Sequence, residues 1–422
     1  MTGPATYFDP NDADALDAET RMLVERRARV LGSAYRLFYE HPLELVRGAG
    51  TLVWDRDGTE YLDAYNNVPS VGHAHPRVVE AMAKQAATLN IHTRYLHEGI
   101  VDYAEQLVDT APDSIDNVMF TCTGSEANDL ALRIAKLATG NEGVIVTSNA
   151  YHGVTTEIAA ISPSLGGADS LAPWVRTVVP RTDQPGPDED AYFAASVKAA
   201  IAELEIFGIR PAALIVDTIF ASDGVLPELP GLVDAVAAVR AAGGLFIADE
   251  VQPGFGRLGH GMWGFERYGL DGASVQPELV TVGKPMGNGQ PIAAVMARHE
   301  LIDEFSRHSR YFNTFGGSSV SIAAAQATLD VLRDEQLIEN ARDVGEYLLG
   351  GLRSIGLEAR GAGLFIGAEV GPAAVGVVNR MRERRILLAT TGAENTALKI
   401  RPPLVFSRAD ADRLLTELEA SL

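Results

Sequence analysis

Between residues 100 and 284, short apolar runs alternate with helically spaced segments, and few folds accept that rhythm. Residues 118–121, 144–147 and 212–217 read as strands, the last as the most deeply buried. Residues 100–110, 126–138 and 232–242 carry helical spacing, with Ser125 placed to cap the second and Gly243-Gly244 to close the third. This alternation implies a mainly parallel sheet with helices on both faces. The pattern weakens after residue 310, where 318–333 and 336–355 read as helices, 361–370 as a strand and 408–421 as a terminal amphipathic helix. Residues 43–63 read as a meander turning at Asp57-Gly58, and the proline-containing stretch 180–187 as a surface loop. The expected fold class is α/β, with a large domain over 66–309 and a smaller α+β domain built from 1–65 and 310–422.

Two further apolar runs end on a charge: 244–249 on Asp249 and 279–284 on Lys284. In open α/β sheets ligands bind at the carboxyl edge. A pyridoxal phosphate enzyme needs these two groups there, a lysine for the Schiff base and a carboxylate to hold the pyridine nitrogen protonated. Strands often end in Asp or Lys, so the pair gains its weight from the segments around it. In Thr121-Cys122-Thr123-Gly124-Ser125-Glu126-Ala127-Asn128, a strand runs through a Gly-Ser turn into a helix. Unpaired amides and the helix dipole favour an anion at such a start, and Ser125 adds a hydroxyl. This segment alone reads equally well as a phosphate cup or an ordinary cap. Cys122 reads as a small buried hydrophobe, since no base lies near it in sequence.

Composition excludes other classes. A chain of 422 residues suggests two domains, and its hydrophobic content of 46% is ordinary for a globular protein. No apolar stretch approaches the roughly 20 residues that span a bilayer. The acidic first 30 residues lack the basic and apolar regions of a signal peptide. Cys122 is the only cysteine, which rules out disulfides within the chain and makes the cytoplasm the expected location. A net charge of −21 argues against nucleic acid and anionic membrane as partners. An anionic substrate would need a local basic pocket. His73, His75, His92 and His97 lack metal-ligand spacing, so no metal is expected. Residues 254–259 match a dinucleotide fingerprint, but 260–264 do not continue as a helix, and no nicotinamide site is expected.

Five segments in one order carry a resemblance: Gly-Ser-Glu-Ala-Asn at 124–128, Tyr-His-Gly at 151–153, Asp-Glu-Val-Gln at 249–252, Gly-Lys-Pro at 283–285 and Asn-Thr-Phe-Gly-Gly at 313–317. Together they resemble the class III aminotransferases, fold type I pyridoxal phosphate enzymes, over nearly the whole chain. The resemblance implies that Lys284 binds the cofactor aldehyde and shuttles the proton, and that Asp249 pairs with the ring nitrogen. It implies that Gln252 approaches the ring's phenolic oxygen, that Gly124 and Ser125 hold the cofactor phosphate, and that Tyr151 stacks on the ring. It gives Thr314 the phosphate of the neighbouring subunit's cofactor, and so implies a homodimer with shared active sites.

Residues 71–76, 90–97, 287–291 and 311–317 look like the phospho-lyase branch of that family, whose members eliminate phosphate and ammonia from ethanolamine phosphate or phosphohydroxylysine. One position departs from the transaminase pattern. An arginine stands three residues before Pro-Pro in typical transaminases and clamps a carboxylate; here the residue is Lys399, a point charge suited to phosphate. The expected reaction is elimination from a phosphoamine such as O-phosphoethanolamine to give an aldehyde. The alternative is an omega-amine:keto-acid transaminase, with Arg401 replacing the missing arginine. Candidates to hold the substrate phosphate are Arg77, Lys399 and Arg401, followed by Arg94 and Arg36.

Overall fold

The alternating runs assemble into one seven-stranded sheet in the computed structural model, which describes residues 7–166, 171–181, 189–268 and 275–422. Across the sheet lie Asn117–Thr121, Ala293–Ala297, Leu279–Val282, Leu245–Asp249, Pro211–Asp217, Gly143–Thr147 and Val175–Val178. Only Ala293–Ala297 runs antiparallel to its neighbours. Apart from Thr281 and the residues at their carboxyl ends, the inner strands are apolar because helices cover both faces. Leu214, Ile215, Phe246, Ile247 and Val280 are fully buried. At about 1.5–3 kcal/mol per side chain of this kind, the sheet is the rigid part on which a site can be built.

Two smaller sheets flank it. The meander Leu45–Ala49, Leu52–Asp55 and Glu60–Asp63 is antiparallel and gains Ile386–Leu387 as a parallel fourth strand. Its second turn closes at Gly58, with Asp55 Oδ1 accepting from the Asp57 and Thr59 amides at 3.0 and 2.8 Å. The other sheet orders Glu358–Ala362, Phe365–Glu369, Ala397–Ile400 and Ala389–Thr391.

The expected single strand at 361–370 is instead the corner of a hairpin. Gly363 turns it at φ +50°, where an added Cβ would lie 2.4 Å from the Arg257 carbonyl oxygen. Periodicity hides such a turn because its corner, Ala362-Gly363-Leu364-Phe365, carries no polar turn residue. Thr123, not Ser125, caps the helix Gly124–Thr139. Thr123 Oγ1 accepts from Glu126 N at 3.1 Å, and Glu126 Oε2 accepts from the Cys122 and Thr123 amides at 2.7 and 3.0 Å, a full capping box. Residues 182–187 of the expected surface loop lie outside the described residues. Among the described residues no helix is long and apolar enough to cross a membrane, and no cluster of His, Cys, Asp or Glu is arranged to hold a metal.

Candidate active site

Three strand ends converge at one edge of the main sheet. Asp217 stands opposite Asp249, and Asp249 opposite Thr281, in paired register. Lys284 follows Thr281 by three residues, across Gly283. Asp217, Asp249 and Lys284 line a cavity of about 310 Å³, together with Gly124, Ser125, Tyr151, His152 and Gln252. The parallel sheet thus gathers groups from positions 124 to 284 at its carboxyl edge, as its topology dictates.

Asp249 is buried and firmly oriented. Its Oδ2 accepts from Asn128 Nδ2 at 2.9 Å and lies 2.7 Å from His152 Nδ1; its Oδ1 accepts from the Val251 amide at 3.0 Å. Neighbouring Asp217 accepts from the Ile219 and Ala221 amides at 3.0 and 3.3 Å. Burial, and then the charge of Asp249, push Asp217 up to about 6. Lys284 moves the opposite way. Burial and the nearby Arg401 lower its amine to about 8, against the pull of Asp249 and Asp217.

Cations gather on the side toward the C-terminal strand. Lys399 lies within Ala397–Ile400, and its Nζ donates to the Ala221 carbonyl at 2.8 Å. Burial and Arg401 press its amine well below the ordinary lysine range. Arg401 donates to the side-chain oxygen of Gln252, and its guanidinium lies 4.5 Å from the centre of the Tyr65 ring. Lys399, Arg36, Tyr65 and Asn149 line a second cavity of about 610 Å³, and Tyr151 lines both.

Other expected residues lie elsewhere. Arg77 is not brought to the site: it pairs with Asp334 at 2.8 Å on a half-exposed helix face and lines neither cavity. Arg94 is exposed and stacks on Phe312 at 3.7 Å. Thr314 is exposed and does not line this chain's cavity. Sequence reasoning missed Asn128, His152, Thr281 and Asp217. Asp217 carried the same signal as Asp249, a charge closing a buried run. Cys122 is half-buried and lines the first cavity, not packed away in the core as expected; burial and the charge of Glu126 raise its thiol to about 11.

The residues present fit pyridoxal phosphate. Glu126 N is satisfied by the capping box, which leaves the Gly124 and Ser125 amides as open donors of that first turn among the described residues. A Cβ at Gly124 would lie 2.8 Å from a Val251 methyl, so only glycine lets the backbone approach there. That start suits a phosphate. A fixed carboxylate, Asp249, suits a protonated ring nitrogen, and an amine poised near neutrality, Lys284, suits an aldehyde carbon.

Comparison with known proteins agrees. The sequence profile described as aminotransferase class-III matches residues 38–422. The solved structure of a phospholyase from Arthrobacter in complex with phosphoethanolamine is 42% identical, with a TM-score of 0.90, covering 94% of this chain and 99% of that one. An alanine–glyoxylate aminotransferase 2-like protein of Drosophila melanogaster is 38% identical over 93% of this chain and 85% of its own length. Ethanolamine-phosphate phospho-lyase homolog 1 of Caenorhabditis elegans is 35% identical over 95% and 93%.

Proposed function

Since the chain belongs to the class III aminotransferase family, we propose that it is a pyridoxal phosphate-dependent phospho-lyase acting on a small phosphoamine such as O-phosphoethanolamine. The observation that carries this reading is the likeness, across almost the full length of both chains, to a phospholyase solved with phosphoethanolamine. Lys399, which lines the neighbouring cavity that shares Tyr151 with this site, supports it. The second reading, amine:keto-acid transamination, draws on the aminotransferase name of the Drosophila relative. A lysine is poorly shaped to clamp a keto acid's carboxylate.

When bound, pyridoxal phosphate supplies the electron sink for the carbon that carries the amine. Gly124 and Ser125 would hold its phosphate, Asp249 would pair with its ring nitrogen and Tyr151 would lie against its ring. Lys284 Nζ, low enough in basicity to shed its proton near neutrality, removes a proton from the substrate carbon bearing nitrogen. Lys399 and Arg401 hold the substrate phosphate as the C–O bond on the next carbon breaks. With one water consumed, the products are aldehyde, ammonia and inorganic phosphate. Charge-assisted contacts contribute roughly 1.5–3 kcal/mol each, so Lys399→Ala should slow phosphate release about ten- to a hundredfold. The check is a phosphate-release assay on the purified variant; an unchanged rate would remove Lys399 from the substrate's reach.

The domain division at 66–309 is supported by the main sheet, whose strands all fall inside it. A cytoplasmic location accords with the single cysteine. We also read the enzyme as a homodimer with shared sites. Thr314 lies in an exposed stretch with Phe312 and Phe315, the latter 71% exposed, beside a cavity of about 580 Å³. Thr314→Ala should weaken cofactor binding in the partner's site. In heterodimers with Lys284→Ala chains, one site then collects both defects and the other keeps activity. Active monomers on dilution would contradict this assembly.

A further inference from the structure

Asp249 is held by a side chain that has two possible orientations. Asn128, buried on the helix Gly124–Thr139, donates through Nδ2 to Asp249 Oδ2 at 2.9 Å and to the His152 carbonyl at 2.7 Å. An amide turned by half a rotation would present its oxygen to both acceptors, and no hydrogen bond could form. Its own oxygen, Oδ1, accepts from Thr281 Oγ1 at 2.6 Å. Thr281 is fully buried, on the strand neighbouring Asp249 and three residues before Lys284. Because both Asn128 hydrogens face acceptors, the Thr281 hydroxyl is the donor in this contact.

We propose that Thr281 is a positioning residue: its hydroxyl locks the Asn128 amide in the one orientation that donates to Asp249, and so fixes the carboxylate toward the cofactor's ring nitrogen. Thr281, on a sheet strand, and Asn128, on the helix covering it, line neither cavity and reach the site through Asp249. A valine at 281 keeps the shape and removes the donor. The amide oxygen is then buried without a partner, and the orientation that holds Asp249 keeps two of its three hydrogen bonds and is less tightly fixed. His152 Nδ1 remains on Asp249 Oδ2, so the carboxylate is loosened rather than released. A serine at 281 restores the donor while removing a methyl group.

The test compares wild-type, Thr281→Val and Thr281→Ser holoenzymes and their apo forms. Thr281→Val should lower kcat about tenfold, with KM for O-phosphoethanolamine within about twofold. It should weaken pyridoxal phosphate affinity and shift the visible spectrum of the bound cofactor, while the apo melting temperature stays within about 3 °C. Thr281→Ser should recover kcat, affinity and spectrum together. A Thr281→Val enzyme with wild-type kcat and spectrum would overturn the lock. So would a serine variant as impaired as valine, since packing and not the hydroxyl would then matter. The inference rests on Asp249 facing the cofactor. If the wild-type protein takes up no pyridoxal phosphate, that reading fails with it, whereas failure of the lock alone leaves wild-type cofactor binding intact.

Discussion

Lys284→Ala should reduce turnover by at least about a thousandfold and abolish the visible absorbance of lysine-bound cofactor. The reason is local. Among the residues lining the two cavities, Lys399 is the one other lysine; it donates to the Ala221 carbonyl and lines the second cavity, not the one that holds Lys284. Alanine leaves the phosphate cradle and Asp249 in place, so cofactor should still bind, but weakly and without the covalent link. The same lysine sets a pH dependence. Its folded value of about 8 lies below the ordinary lysine value of 10.5. The unfolded chain therefore binds more protons between those limits, and stability held back at neutral pH is recovered as pH rises through them. In the apoprotein, Lys284→Met should raise the melting temperature more at pH 7 than at pH 10. Capture of free pyridoxal phosphate by the wild-type apoprotein should speed up with pH until about 8 and then level off. Substantial activity and unchanged absorbance in Lys284→Ala would remove this residue from the chemistry.

Asp249→Asn should keep the cofactor and lose about a hundred- to a thousandfold in kcat, the scale of other preorganised electrostatic contacts. Two effects add. The neutral amide no longer balances a cationic ring nitrogen. It also cannot satisfy its neighbours, because Oδ2 meets two donors, Asn128 and His152, and Oδ1 meets the Val251 amide. An asparagine that keeps its oxygen toward the first pair turns its NH₂ against the Val251 N–H. Steady-state kinetics with matched cofactor occupancy would check this. A kcat within a few-fold of wild type would mean that the carboxylate does not act on the ring.

Much of this architecture was legible because strands and helices differ in apolar period. The runs ending at Asp217, Asp249 and Lys284 needed only a parallel sheet to bring them to one edge, and the sheet is parallel there. The groups that escaped notice act through pairing across the fold. Asn128 and Thr281 are 153 positions apart, and nothing in either segment announces the bond between them. Arg77 misled for the converse reason: a cation beside a histidine-rich turn looked like an anion site, but the helix it opens turns it toward Asp334. The 361–370 hairpin was invisible because its corner residue, Gly363, is set by close approach to Arg257 and not by a polar turn.

The most direct test of the account is to incubate the holoenzyme with O-phosphoethanolamine, with and without pyruvate, and measure inorganic phosphate, acetaldehyde and alanine together. The account predicts phosphate and acetaldehyde in equal amounts, independent of pyruvate, with the cofactor spectrum returning to its starting form. Alanine formed in step with pyruvate consumption, with no phosphate released, would contradict it.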